Sequence, residues 1–271
     1  MNDHVPYLLG TTVQPDRIAS TDYPFHLPLI RSLNVQFKSA VTFLVGENGT
    51  GKSTVIEALA VLCRLPVSGG SRNELSAQHG PDARSPLAAA LRPAFRRQPP
   101  DGYFLRAEFQ AHFASLLDAR REDPDFMMSG HDPYAAYGGR SLHTRSHGEA
   151  FLAILQNRIR RGLFLFDEPE SALSPQRQLV LLAHMAMLAA TGKGQFIVAT
   201  HSPILLTFPG AQILSFDGDA ISEITLEETS HYQITRGILQ NPAAYWKHLQ
   251  AVDESKGFKA DGGREKSRKK G

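Results

Sequence analysis

The sequence predicts an α/β fold, a mostly parallel sheet flanked by helices, with an antiparallel β part near the N-terminus and a loop-rich, partly helical insertion. Three apolar runs carry that expectation: residues 41–45 (VTFLV), 163–166 (LFLF) and 196–199 (FIVA). None shows the polar alternation of a half-exposed strand, as expected of strands covered on both faces. Segments of helical spacing separate them, and strand–helix alternation implies right-handed crossovers within one sheet.

Taken in order, residues 26–30 and 33–37 show partial alternation and read as half-buried strands. The run 41–45 leads into a glycine-rich turn. After it Val55, Ile56, Ala58, Leu59, Val61 and Leu62 recur at helical spacing, until Pro66 and the Ser68–Ser71 turn. Residues 68–101 are rich in Gly, Ser, Pro and Arg, with one short helix at 87–91. A strand follows at 103–109, a helix at 113–119 and a loop-like stretch at 122–145. Phe151, Leu152, Ile154, Leu155 and Ile159 mark a helix over 148–161, and Pro175 opens another through Ala190. Residues 213–216 and 220–224 flank Asp217-Gly218-Asp219 as a hairpin. Residues 1–252 thus read as one domain, with an insertion at about 64–145, and 253–271 as a basic disordered tail.

Composition narrows the function classes. At 271 residues with 42% hydrophobic content the chain can bury a sizeable core, which excludes wholesale disorder. Its 29 Lys and Arg nearly cancel 27 Asp and Glu, so global charge points to no nucleic-acid or anionic-membrane partner. Cys63 is the one cysteine and cannot form an intrachain disulfide, which favours a reducing, cytoplasmic setting. The N-terminal MNDHVPYLLG lacks the basic and apolar regions of a signal peptide. The longest apolar stretch, 179–190, falls short of the ~20 residues a bilayer demands, so no transmembrane segment is expected.

Three strand ends carry the chemistry. Gly46-Glu47-Asn48-Gly49-Thr50-Gly51-Lys52-Ser53, followed by Thr54, fits G-x-x-x-x-G-K-[ST] between a buried strand and a helix. Glycines let backbone N–H groups converge on phosphate oxygens, and the helix N-terminus adds its positive end. Lys52 would bridge the β- and γ-phosphates and Ser53 would ligate Mg²⁺. At the end of 163–166, Asp167 is placed to hold the Mg²⁺ shell and Glu168 to polarise an attacking water. After 196–199, Thr200-His201-Ser202 sets a histidine where it can meet a γ-phosphate.

Together these motifs resemble the ABC-type P-loop ATPases, over roughly residues 20–250. The resemblance extends to Ser146-His147-Gly148-Glu149 as the family's signature turn, departing from the transporter form at His147 and Glu149. It implies that Ser146 and Gly148 contact ATP bound to a partner subunit. Read from the residues alone, the same stretch is a capped helix start, Ser146 with Glu149 three residues on. Residues 169–174 look like the family's D-loop; Glu108 or Gln110 are glutamine-loop candidates, and Tyr23 or Phe25 candidates for stacking on adenine. The motif wording is closest to stand-alone AAA-domain ATPases, whose relatives include the RecF- and SMC-like repair ATPases.

The resemblance implies an ATPase with Lys52, Glu168 and His201 as catalytic groups, and ATP and Mg²⁺ as cofactors. ATP would be sandwiched in a head-to-tail homodimer that drives a conformational switch in a DNA-related or defence process, with DNA or a protein as partner. The alternative is the nucleotide-binding subunit of a transporter, docked on a separate membrane protein. His143, His147 and Glu149 have spacing suited to a metal, but His147 belongs to the signature turn. Arg158, Arg160 and Arg161 read as a solvated helix end.

Overall fold

The computed structural model describes residues 5–18, 21–72, 85–106, 110–128, 130, 132–247 and 249. It opens with β1 (Leu8–Val13), a short α1 (Pro28–Arg31), β2 (Asn34–Gln36), β3 (Val41–Val45) and α2 (Lys52–Leu62). Then come β4 (Gly70–Ser71), α3 (Pro86–Ala90), β5 (Leu91–Phe95), β6 (Gly102–Arg106), α4 (Gln110–Glu122) and α5 (Pro124–Met128). The chain continues through α6 (His147–Arg158), β7 (Gly162–Asp167), α7 (Pro175–Ala190), β8 (Gly194–Ala199), β9 (Gln212–Ser215), β10 (Ser222–Ile224) and α8 (Ser230–Gln240). It divides into two compact units, Met1–Thr229 and Ser230–Gly271. In the second, Tyr245 lies against Gly237 of α8. The basic tail falls outside the described residues.

The fold is the mixed α/β architecture the sequence implies. Its main sheet has the order β10-β9-β3-β8-β7-β6-β4, in which β9, β3, β8, β7 and β6 run parallel and both edge strands are antiparallel. A second, antiparallel sheet, β2-β1-β5, forms the N-terminal β part. The apolar runs make sense as two-faced strands. Phe164, Phe166, Phe196 and Val198 point into a core with α6 and α7, while Leu163, Leu165, Ile197 and Ala199 point into a second core with α2 and α3.

Residues 26–30 are not a strand. Pro28 occupies the first turn of helix α1, with its φ preset for helix, and Leu29 and Ile30 are buried. A short apolar run cannot be told from a buried strand by periodicity, and tertiary packing chose the helix. Strand β1 falls in the antiparallel β part expected near the N-terminus, whereas β5 lay hidden in the loop-like composition of 68–101. Pairing with each other forms them. Within 122–145, α5 and two 3₁₀ turns add helix where only loop was expected.

One buried glutamine ties the two sheets together. Gln195, on β8, accepts from the N–H groups of Tyr7 (2.8 Å) and Leu8 (2.9 Å) and donates to the Leu8 carbonyl (2.8 Å). Replacing it with alanine strands three buried backbone groups. Gln195→Ala should cost about 3 kcal/mol, read as a lower urea midpoint, because a buried unsatisfied group costs about 1–3 kcal/mol.

Candidate functional site

Parallel register brings the motifs to one edge. Leu44 of β3, Ala199 of β8, Asp167 of β7 and Arg106 of β6 form one row across the sheet. The ladder continues a residue further, with Thr200 N–H donating to the Leu44 carbonyl (3.2 Å) and Glu168 N–H to the Ala199 carbonyl (3.0 Å). The three strand-end motifs therefore emerge side by side at the carboxyl edge, where open α/β sheets bind ligands.

The glycine loop between β3 and α2 takes a conformation that asks for glycine: Gly46, Gly49 and Gly51 have φ of +144°, +84° and +99°. A side chain at Gly51 would meet Ile30, so α1 forms the floor beneath the loop. Asp217, in the β9–β10 turn, accepts from the Glu47 N–H (2.8 Å). Lys52 donates to the carbonyls of Gly46 (2.6 Å) and Glu47 (2.8 Å). Burial lowers its pKa, opposed by Glu168, Asp217, Asp167 and Glu47. Thr50 holds the Glu47 carbonyl through its hydroxyl (3.0 Å).

A pocket of about 190 Å³ opens beside the loop, lined by Asn48, Gly49, Gly51, Lys52, Ser53 and Thr54, with Glu168, Leu27 and Tyr23. Ser53 Oγ donates to Asp167 Oδ1 at 3.0 Å, bridging α2 and β7. Glu168 sits in left-handed backbone, φ 48° and ψ 54°, an uncommon state for a residue with a side chain. Its carboxylate lies 3.6 Å from His201 Nε2. The backbone N–H of His201 donates to Glu170 of the turn after β7. Burial raises the Glu170 pKa against that bond.

Of the expected site residues, the glycine loop, Lys52, Ser53, Thr54, Asp167, Glu168 and His201 thus converge. Ser146 and Gly148 do not line the pocket. Ser146 caps α6 as half of a capping box with Glu149, so the reading from residues alone is realised. The bond from the Ser146 N–H lowers the Glu149 pKa. Arg177 of α7 lies across Gly148, where a Cβ would meet its guanidinium. Tyr23 sits on the pocket rim with its hydroxyl on that of Thr54, whereas Phe25 is buried in the core. Arg158 pairs with Asp101 at 2.8 Å, so it is not merely solvated. Glu108 lies outside the described residues.

Motif spacing missed four contributors. Asp217 reads as a turn residue, and Glu170 as part of a loop. Arg106 and Glu57 stand alone in sequence, yet Arg106 bonds Glu57 at 2.6 Å and lies 3.5 Å from Asp167. Only the pairing of β6 with β7 reveals them.

Comparison with known sequences fits this geometry. A model described as "AAA domain, putative AbiEii toxin, Type IV TA system" matches residues 149–207, and an AAA-domain model matches 25–85. The first spans Asp167, Glu168 and His201, the second the glycine loop. Both stretches are thus similar to AAA domains. No curated protein matches the chain. Among solved structures, the chain is similar to an ATP-binding cassette of an ABC transporter in its ADP conformation, at 15% identity, TM-score 0.47, covering 86% of this chain and 100% of that one. It is similar to cbiO1 from Clostridium perfringens, part of the ABC transporter complex cbiONQ (14%, 0.46, 91% and 100%). The SMC head domain from Thermotoga maritima is a third (14%, 0.41, 81% and 99%). Among the described residues no helix is long and apolar enough to cross a membrane.

Asp167 carries the electrostatic strain of the site. Burial pushes its carboxyl up from 3.8 to about 6, outweighing Arg106 and the Ser53 bond. Because the folded-state value lies above the unfolded one, the penalty is absent below about pH 4 and full above about pH 6. Asp167→Asn should therefore raise the melting temperature of the nucleotide-free protein at pH 7.5, by up to about 3 kcal/mol of stability. The gain should vanish as the pH falls below 4. A variant less stable at every pH would contradict this balance.

Proposed function

We propose that the chain binds ATP·Mg²⁺ in the pocket beside Lys52 and hydrolyses it to ADP and phosphate. One observation carries the reading: Ser53 bonded to Asp167 at the head of α2, with Glu168 and His201 at the same sheet edge. The donor set fits the cation, since a hydroxyl and a carboxylate are the hard oxygens that suit Mg²⁺. Ser53 and Asp167 would hold the ion, which would supply positive charge to offset that of the phosphates. The glycine loop and the α2 N-terminus supply the anion cradle. Glu168 accepts a proton from the attacking water while the water oxygen bonds the γ-phosphorus. The bond to the bridging oxygen breaks, and its electron pair leaves with ADP. His201 keeps the Glu168 carboxylate aimed. Tyr23, exposed on the rim, is the aromatic placed to stack on adenine.

The signature residues support a head-to-tail dimer. Ser146 and Gly148 lie outside the pocket lining of their own chain, on a separate helix N-terminus suited to a phosphate bound by a second copy. The toxin–antitoxin wording of one matched family supports a defence setting for the resulting switch.

Two substitutions test this. Lys52→Ala should weaken binding of a fluorescent ATP analogue at least tenfold. Glu168→Gln should keep binding but slow turnover by about 10²–10⁴, the usual contribution of a general base. By light scattering, Glu168→Gln should move from a 29.8 kDa monomer to a dimer only with ATP·Mg²⁺. Binding without any dimer would overturn the sandwich.

A further inference from the structure

Arg106 ends β6 directly opposite Asp167 of β7. Its Nε lies 3.5 Å from Asp167 Oδ2, and its Nη1 donates to Glu57 Oε1 at 2.6 Å. Glu57 stands one turn beyond Ser53 on α2, and Ser53 Oγ binds the other Asp167 oxygen. The four side chains thus close a ring, Ser53 to Asp167 to Arg106 to Glu57, through one turn of helix. Arg106 is 12% exposed and Asp167 7%, so their contact is shielded from water and their charges interact strongly, while Glu57, 30% exposed, closes the ring from the solvent side.

We infer that Arg106 is a positioning residue for the cation site: it grips Asp167 by Oδ2 so that Oδ1 stays turned toward Ser53, and Glu57 holds Arg106 in place. This rests on the reading of Ser53 and Asp167 as the Mg²⁺ side of an ATP pocket. The charges support it. Asp167, Glu57 and Arg106 sum to −1, so a divalent cation still meets net negative charge. Without Glu57 the charges of Asp167 and Arg106 would cancel and these groups would offer a divalent cation no net negative charge; without Arg106 two carboxylates would repel and Asp167 would lose the partner that fixes its rotamer. A guanidinium suits the task because its planar fork reaches two carboxylates from different edges, which a lysine ammonium does only in part.

A salt bridge that only braces α2 against β6 would behave differently, and binding of a fluorescent ATP analogue to the full chain, titrated with Mg²⁺, separates the two. Arg106→Gln should raise the Mg²⁺ concentration for half-saturation at least tenfold, while affinity measured in EDTA changes less than threefold. Arg106→Lys should recover part of the loss. Glu57→Gln should weaken Mg²⁺ dependence in the same direction, and the double variant Arg106→Gln/Glu57→Gln should lie within twofold of the Arg106→Gln single, as members of one unit do. An unchanged half-saturation in a folded Arg106→Gln would overturn the proposal, as would an equal loss with and without Mg²⁺. Should Arg106→Gln not fold, Arg106→Lys and Glu57→Gln carry the same test, and normal Mg²⁺ dependence in both would overturn it. If the wild-type chain binds the analogue with no Mg²⁺ dependence, the reading of the pocket fails first, and that control tells the two failures apart.

Discussion

The site depends on register in the parallel sheet. Strands β3, β8, β7 and β6 align so that Leu44, Ala199, Asp167 and Arg106 share one row. Everything chemical in the molecule leaves the sheet at or just beyond that row. A slip of one residue in β7 would reverse its faces, forcing Phe164 and Phe166 out of the core with α6 and α7 into the core with α2 and α3, and turning the Asp167 side chain to the other side of the sheet. The two cores, one on each face, therefore hold this edge in register as well as the fold together.

Holding charge at such an edge costs stability. Asp167 and Lys52 are both buried, and burial moves their pKa values in opposite directions, up for the acid and down for the base, each toward its neutral form. The surrounding groups oppose this drift: Arg106 and Ser53 for Asp167, and four carboxylates for Lys52. Glu168 adds left-handed backbone at the same spot. Strain and desolvation gathered at one strand end are the mark of a site built to bind charge, and the two cores supply the stability that offsets them.

Much of this was legible from residues alone. The runs 41–45, 163–166 and 196–199 are apolar on both faces because both faces are covered, and no exposed strand could afford that pattern. The glycine loop was legible because three positive-φ positions admit few substitutes. What stayed hidden shares one cause: it depends on partners distant in sequence. Strand β5 reads as part of a loop-rich stretch until β1, some eighty residues earlier, pairs with it. Leu29 and Ile30 look like strand residues, yet they lie in a short helix, with Ile30 packed beneath the loop at Gly51. Asp217 looks like an ordinary turn residue until Glu47 donates to it.

The sequence by itself determined the α/β class, the two-faced strands, and the order and residue content of the motifs at Gly46–Thr54, Asp167, Glu168 and His201. Those features are local: a φ preference, a helix terminus or a run of apolar side chains acts within a few residues. Tertiary structure alone decided that Arg106 faces Asp167, that Glu57 holds Arg106, that Tyr23 rather than Phe25 reaches the pocket rim, and that Ser146 lies away from its own pocket. Each of these is a contact between segments far apart along the chain. Strand order and register set such contacts, and the pattern along any one segment carries no trace of them.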